Sequence, residues 1–187
     1  MQDYKVMSAV MGVPIPAPLI LDDRGSKTLL ASNGCPWRPV SDTVMGGASS
    51  VRLLSTEILG RACLRLTGEV KLENNGGFVQ ASLDLSDKGL LDASKFTGIE
   101  VDVLGNNEIY NLHLRTDDTQ IVWQSYRASF NATKNWQTIR LPFNSFVPHR
   151  IDVPLDTSRL RRLGVVAIGR AMQADICIGR LALYLAA

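Results

Sequence analysis

Two glycine pairs are the residues whose type and spacing most resemble a site. They stand in Ser-Asp-Thr-Val-Met-Gly-Gly-Ala-Ser-Ser at 41–50 and in Glu-Asn-Asn-Gly-Gly-Phe at 73–78. Glycine reaches positive φ at no steric cost and lets other groups approach the backbone closely. The carboxylate of Asp42 and the amides of Asn74 and Asn75 can hydrogen-bond nearby backbone and stabilise tight turns. Catalysis, phosphate binding and a plain turn would all use such stretches. The phosphate-loop patterns G-x-G-x-x-G and G-x-x-x-x-G-K-[ST] are absent. Ser49 and Ser50 follow glycines but form no G-x-S-x-G elbow. The two histidines, His113 and His149, belong to no H-x-H or H-E-x-x-H motif or Cys/His cluster, which speaks against zinc. Asp117 and Asp118 sit in a turn-like Arg-Thr-Asp-Asp-Thr-Gln, and no loop has the carboxylate density of a calcium site. The expectation is a chain with no catalytic set, no metal and no cofactor. Two readings of the glycine pairs stay open. They are tight bends at strand ends, or loops that meet and line a shared site. In either case 41–50 and 73–78 should be neighbours, with Asp42 and Asn74 or Asn75 bonded to backbone or to each other.

The elements that would carry these loops are strands. Ile99, Val101 and Val103 alternate with Glu100 and Asp102; Leu112 and Leu114 alternate with Asn111, His113 and Arg115; Ile139 and Leu141 alternate with Thr138 and Arg140. Period two marks half-buried antiparallel strands. Further strand candidates are Cys63–Leu72, Gly77–Leu85, Ser125–Ala132, Leu163–Gly169 and Asp175–Tyr184, with turn clusters between them. Helical content is limited to single turns within 84–96 and 156–164. Many short strands with regular turns predict an all-β sandwich of two antiparallel sheets. The seven apolar residues named above are its expected core. Strand parity groups the polar positions Asn111, His113 and Arg115 with Trp123 and Arg127, and with Trp136 and Arg140. If these faces coincide, two tryptophans and three arginines share one polar surface, the candidate binding face.

Bulk properties fit a soluble globular domain. The 187 residues are 45% hydrophobic and 20% charged, with a net charge of +2. That charge is too mild to predict a nucleic-acid partner. The Arg159, Arg161, Arg162 cluster reads as a solvated surface turn. No apolar run reaches the ~18 residues of a transmembrane helix. Pro14, Pro16 and Pro18 predict a flexible or extended N-terminal arm over 1–18, leaving 19–187 as a single sandwich domain. Cys35, Cys63 and Cys177 are widely spaced and odd in number, as expected of reduced thiols in the cytoplasm.

The ordered motifs carry a further signal. Trp37 followed by Ser-Asp-Thr-Val-Met-Gly-Gly-Ala-Ser, then Glu-Asn-Asn-Gly-Gly-Phe, resembles the complex I intermediate-associated protein 30 family. Downstream, Phe96–Thr116, Tyr126–Phe130, Trp136–Pro148 and Leu163–Tyr184 continue the likeness. The resemblance implies a galactose-binding-domain-like jelly roll and a non-enzymatic role, with assembly of respiratory complex I as the eukaryotic members' task. It also implies that the motif residues Trp37, Asp42, Met45, Gly46, Gly47, Ser49, Glu73, Asn74, Asn75, Gly76, Gly77 and Phe78 matter for structure or binding. The chain departs from the mitochondrial members in having no arginine-rich transit peptide, so a bacterial stand-alone member is expected. The expected function is therefore a protein-binding assembly factor or chaperone. The alternative is a carbohydrate-binding module using the polar, tryptophan-bearing face.

Overall fold

A computed structural model describes residues 17–186. The arm expected over 1–18 therefore lies almost wholly outside the described residues. Among the described residues, twelve strands form two antiparallel sheets packed face to face. Sheet I contains β1 (Leu19–Asp22), β3 (Ser50–Ile58), β4 (Arg61–Val70), β6 (Gly98–Leu104), β9 (Gln137–Pro142) and β12 (Met172–Tyr184), in the order β3-β4-β12-β6-β9 with β1 beside β12. Sheet II contains β2 (Trp37–Ser41), β5 (Phe78–Asp84), β7 (Glu108–Thr116), β8 (Ser125–Ala132), β10 (Val147–His149) and β11 (Leu160–Ile168), in the order β10-β8-β7-β11-β5-β2. This is the all-β sandwich that the alternating pattern predicts, of the jelly-roll type that the resemblance implies.

Parity explains which side of each strand meets the other sheet. In β7, Tyr110, Leu112 and Leu114 are fully buried while Asn111, His113 and Arg115 point away from the core. In β6, Ile99, Val101 and Val103 are likewise fully buried. Leu64 and Leu66 from β4, Ile176 and Ile178 from β12, and Leu163 and Val165 from β11 complete the same apolar layer. β12 has 13 residues because it serves two partners on one edge. β4 pairs with Met172–Ile178, and β1 pairs further along with Leu181–Leu183.

Three expectations need correction. Ile139 is only partly buried, packed against the core from the edge strand β9. No helical turn forms within 84–96, whereas short 3-10 turns occupy Asp42–Met45, Glu73–Asn75, Phe143–Ser145 and Thr157–Arg159. β9 does not lie beside β8. It pairs with β6 in sheet I through Ile99↔Leu141 and Val101↔Ile139, so the chain changes sheets between Ala132 and Gln137. That crossover separates the polar positions of β9 from those of β7 and β8.

Leu114 is 0% exposed. Its burial is worth roughly 1.5–3 kcal/mol, and a carboxylate there would be desolvated without a partner. Leu114→Asp should abolish the cooperative thermal transition followed by circular dichroism; a variant that melts like the parent would show that this layer is not the core.

Candidate functional site

The glycine pairs close around one carboxylate. Asp42 is 0% exposed. Its Oδ1 accepts from the Ser49 amide at 2.9 Å, and its Oδ2 accepts from the Ser49 hydroxyl and the Gly77 amide, each at 2.5 Å. The Phe78 amide adds a longer contact of 3.4 Å to Oδ2. Burial, the largest single influence, pushes this carboxyl up. The Ser49 hydroxyl and the backbone donors of Ser49, Gly77 and Phe78 together outweigh it and hold the group below its usual range. The glycines divide two tasks. Gly46 at φ 84° and Gly77 at φ 128° take conformations that a β-carbon resists. Gly47 and Gly76 supply space: a β-carbon on either would strike the Asp42 carboxylate, at 2.5 Å from Oδ2 in the case of Gly76. Asn74, itself at φ 57°, donates from its amide to the Gly46 carbonyl at 3.2 Å. Segments 41–50 and 73–78 are thus clasped together.

The clasp stands at one end of a groove of about 540 Å³ on the exposed face of sheet II. Across its floor runs a row set by strand register: Arg38 on β2, Ser82 on β5, Gly164 on β11, His113 on β7 and Arg127 on β8. Val44, Met45 and Asn75 border the end where β2 stops and β5 starts. Val122 and Trp123, from the turn joining β7 to β8, border the opposite end beside His149 and Arg150. Arg115 holds that turn by donating to the carbonyls of Thr119 and Ile121 at 3.1 and 3.2 Å. Arg127 donates to the Ser125 hydroxyl at 2.9 Å. Burial, reinforced by Arg127 and then His149, pulls His113 down to about 3, so its imidazole is neutral at physiological pH. Its Nε2 has no hydrogen-bond partner among the described residues.

No carboxylate lines the groove, and neither imidazole bonds to a serine or an acid among the described residues. The arrangement offers binding groups rather than a nucleophile with its base. Among the described residues no group of three His, Cys, Asp or Glu side chains could hold a metal ion.

The predicted site residues divide as follows. Met45, Asn75, Gly76, Gly77 and Phe78 from the motif loops reach the groove, as do His113, Arg115, Trp123 and Arg127. Asp42, Gly46, Gly47, Ser49 and Asn74 build the clasp. The side chain of Glu73 is exposed, and its carbonyl accepts from Gly76 at 3.1 Å. Trp37 is 1% exposed and belongs to the core, where its indole donates to Asp22 at 2.7 Å. Asn111 shares the face but does not line the groove. Trp136 and Arg140 are not on this face at all, because the crossover to β9 takes them to sheet I. There Trp136 lies under Arg61 at 4.6 Å, and Arg140 pairs with Glu100 at 2.7 Å. Arg162 corrects another reading: it is on β11, facing the groove, and not in a solvated turn. Arg38 and Arg150 escaped sequence reasoning because only sheet order shows that β2 and the segment after β10 border β5 and β8.

A family model described as complex I intermediate-associated protein 30 matches residues 27–178. No curated protein matches the chain. Among solved structures, the fold resembles the family 11 carbohydrate-binding module of the cellulosomal cellulase Lic26A-Cel5E of Clostridium thermocellum. The TM-score is 0.72 at 16% identity, covering 91% of this chain and 95% of that one. The same organism's family 11 module in complex with a β-1,3-1,4-mixed-linked tetrasaccharide gives 0.67 at 15% identity, covering 90% and 96%. The family 30 module of its cellulase Cel9D-Cel44B gives 0.63 at 15%, covering 91% and 98%. At these identities the likeness is one of fold.

Asp42→Asn should lower stability by about 2 kcal/mol, because an amide turns a donor toward groups that themselves donate. Gly47→Ala should also destabilise by crowding the carboxylate. The depressed Asp42 carboxyl contributes fully above the unfolded value of ~3.9 and loses that contribution as pH falls through its lower folded value. Melting curves should therefore separate parent from Asp42→Asn at pH 7 and converge below about pH 4. Equal melting temperatures at pH 7 would refute the clasp.

Proposed function

Because the chain belongs to the complex I intermediate-associated protein 30 family, we propose that it is a non-catalytic, protein-binding module of the assembly-factor kind. Its client is a subunit of respiratory complex I or of another multi-subunit complex, and the groove of sheet II receives a segment of it. The observation that carries this reading is the apolar border of the groove. Val44 is 71% exposed, Val122 64%, Trp123 49% and Met45 46%. Exposed apolar side chains grouped around a groove mark interaction surfaces, and tryptophan and arginine are enriched where protein interfaces concentrate their energy. Three free, buried thiols suit a reducing compartment such as the cytoplasm.

A second reading, a carbohydrate-binding module, has specific support. The fold resembles such modules, one of them in complex with a tetrasaccharide. Trp123 could also stack on a sugar ring. The protein reading takes precedence because the other three exposed apolar groups at the groove's border, Val44, Met45 and Val122, offer a sugar no flat platform.

The two readings part in one experiment. The parent and a Val122→Ser/Trp123→Ala variant are used side by side to capture partners from the native cell and to probe a glycan panel. The protein reading expects a partner retained by the parent, lost by the variant at unchanged melting temperature, and no glycan signal. Glycan binding that depends on Trp123, without a protein partner, would establish the second reading instead.

A further inference from the structure

The two exposed sheet faces treat charge in opposite ways. On sheet I every strand arginine but Arg52 is matched. Arg61 pairs with Asp102 and Arg65 with Asp175, each at 2.7 Å. Arg140 and Arg180 share Glu100 at 2.7 and 2.5 Å. On sheet II five arginines line the groove: Arg38, Arg115, Arg127, Arg150 and Arg162. Arg38 and Arg162 share one carboxylate, Asp84, at 2.5 and 2.7 Å. Arg115, Arg127 and Arg150 have no carboxylate within ion-pair distance among the described residues.

These charges are crowded as well as unmatched. Burial lowers the affinity of Arg115 for its proton, helped by Arg162 and then Arg161; burial does the same for Arg127, helped by Arg150. In each case every perturbing charge is of the same sign. A part-buried guanidinium without a counter-charge is costly, and proteins pair or expel such groups. Here the pairing partner is missing from the groove, while on the other sheet Arg61, Arg65, Arg140 and Arg180 each have one. Among the described residues, five arginines line the groove and no Asp or Glu does.

We propose that the groove of sheet II binds an acidic segment of a partner polypeptide, whose carboxylates supply the missing counter-charges to Arg115, Arg127 and Arg150. This rests on the protein-binding reading above and adds the chemistry of the segment. A polypeptide fits better than other polyanions. Single-stranded nucleic acid needs stacking platforms for successive bases, and sulfated or carboxylated sugars need flat aromatic faces or dense polar contacts. Trp123 is the one exposed large aromatic at the border; Val44, Met45 and Val122 suit aliphatic side chains. An acidic segment with apolar residues between its carboxylates would engage both sets of groups. Electrostatic complementarity of this kind steers association and fixes register. The neutral His113 at the floor leaves the attraction to the arginines.

A displayed library of random dodecapeptides, panned against the full chain, tests this directly. Enriched peptides should carry an excess of Asp and Glu interleaved with apolar residues. One of them, synthesised with a fluorophore, should lose at least about tenfold in affinity to Arg127→Gln/Arg150→Gln and weaken as salt rises. Arg150→Gln alone should also weaken binding, and it cannot act through folding, because this exposed side chain makes no hydrogen bond or ion pair among the described residues. Arg65→Gln, on sheet I, should bind as the parent does. Enriched peptides without an acidic excess, or binding unchanged in both groove variants, would overturn the acidic-segment inference and leave the protein-binding reading standing. A library that yields no binder, with polygalacturonate or poly(U) captured instead in an Arg127- and Arg150-dependent way, would overturn both.

Discussion

The geometry of the groove's apolar end depends on the buried carboxylate of Asp42. Four donors converge on it, three of them backbone amides, so it acts as a fixed junction between the chain leaving β2 and the chain entering β5. The interaction is demanding in both directions. A carboxylate at 0% exposure is tolerable only when its lone pairs are satisfied. The donors can reach it only where Gly47 and Gly76 leave room and where Gly46 and Gly77 bend the chain through positive φ. Val44 and Met45 sit on the turn that this junction holds, and Gly77 and Phe78 open the strand beside them. A motif that looks catalytic in composition thereby anchors one border of the groove.

Sheet order then gives the two faces different characters. Sheet I encloses two of its acids: Glu100 and Asp102, expected to face water, are each 8% exposed because arginines, Thr138 and Trp136 lie over them. Sheet II keeps small or uncharged residues at the floor of its groove, Ser82, Gly164 and His113, and places guanidiniums and apolar turns around them.

Much of this was legible in the sequence. β6, β7 and β9 announce themselves by alternation, because each turns one face toward the opposite sheet. β3 does not: along Ser50–Ile58 only Leu53 is buried, so an edge strand wet on both sides carries no apolar rhythm. β1 and β10 are too short to show a period. The proximity of the glycine pairs could be inferred from their shared composition, but the separate duties of their members could not, since these depend on where the Asp42 carboxylate points. The polar face was legible only in part. Parity assigns a side chain to one face of its own strand and says nothing about which sheet the strand joins, which is why Trp136 and Arg140 were grouped with Arg115 and Arg127. The groove's charge was hidden for the same reason. Arg38, Arg127, Arg150 and Arg162 are distant in sequence and meet only through the order β10-β8-β7-β11-β5-β2.

The central claim is that the exposed face of sheet II is the working surface of the molecule. Site-specific photocrosslinking in the native cell tests it most directly, with p-benzoylphenylalanine placed at Val122, beside the groove, or at Leu54, an exposed apolar position on the edge strand of sheet I. The account predicts a discrete covalent adduct with one partner from Val122 and none from Leu54. A discrete adduct from Leu54 with none from Val122 would contradict it.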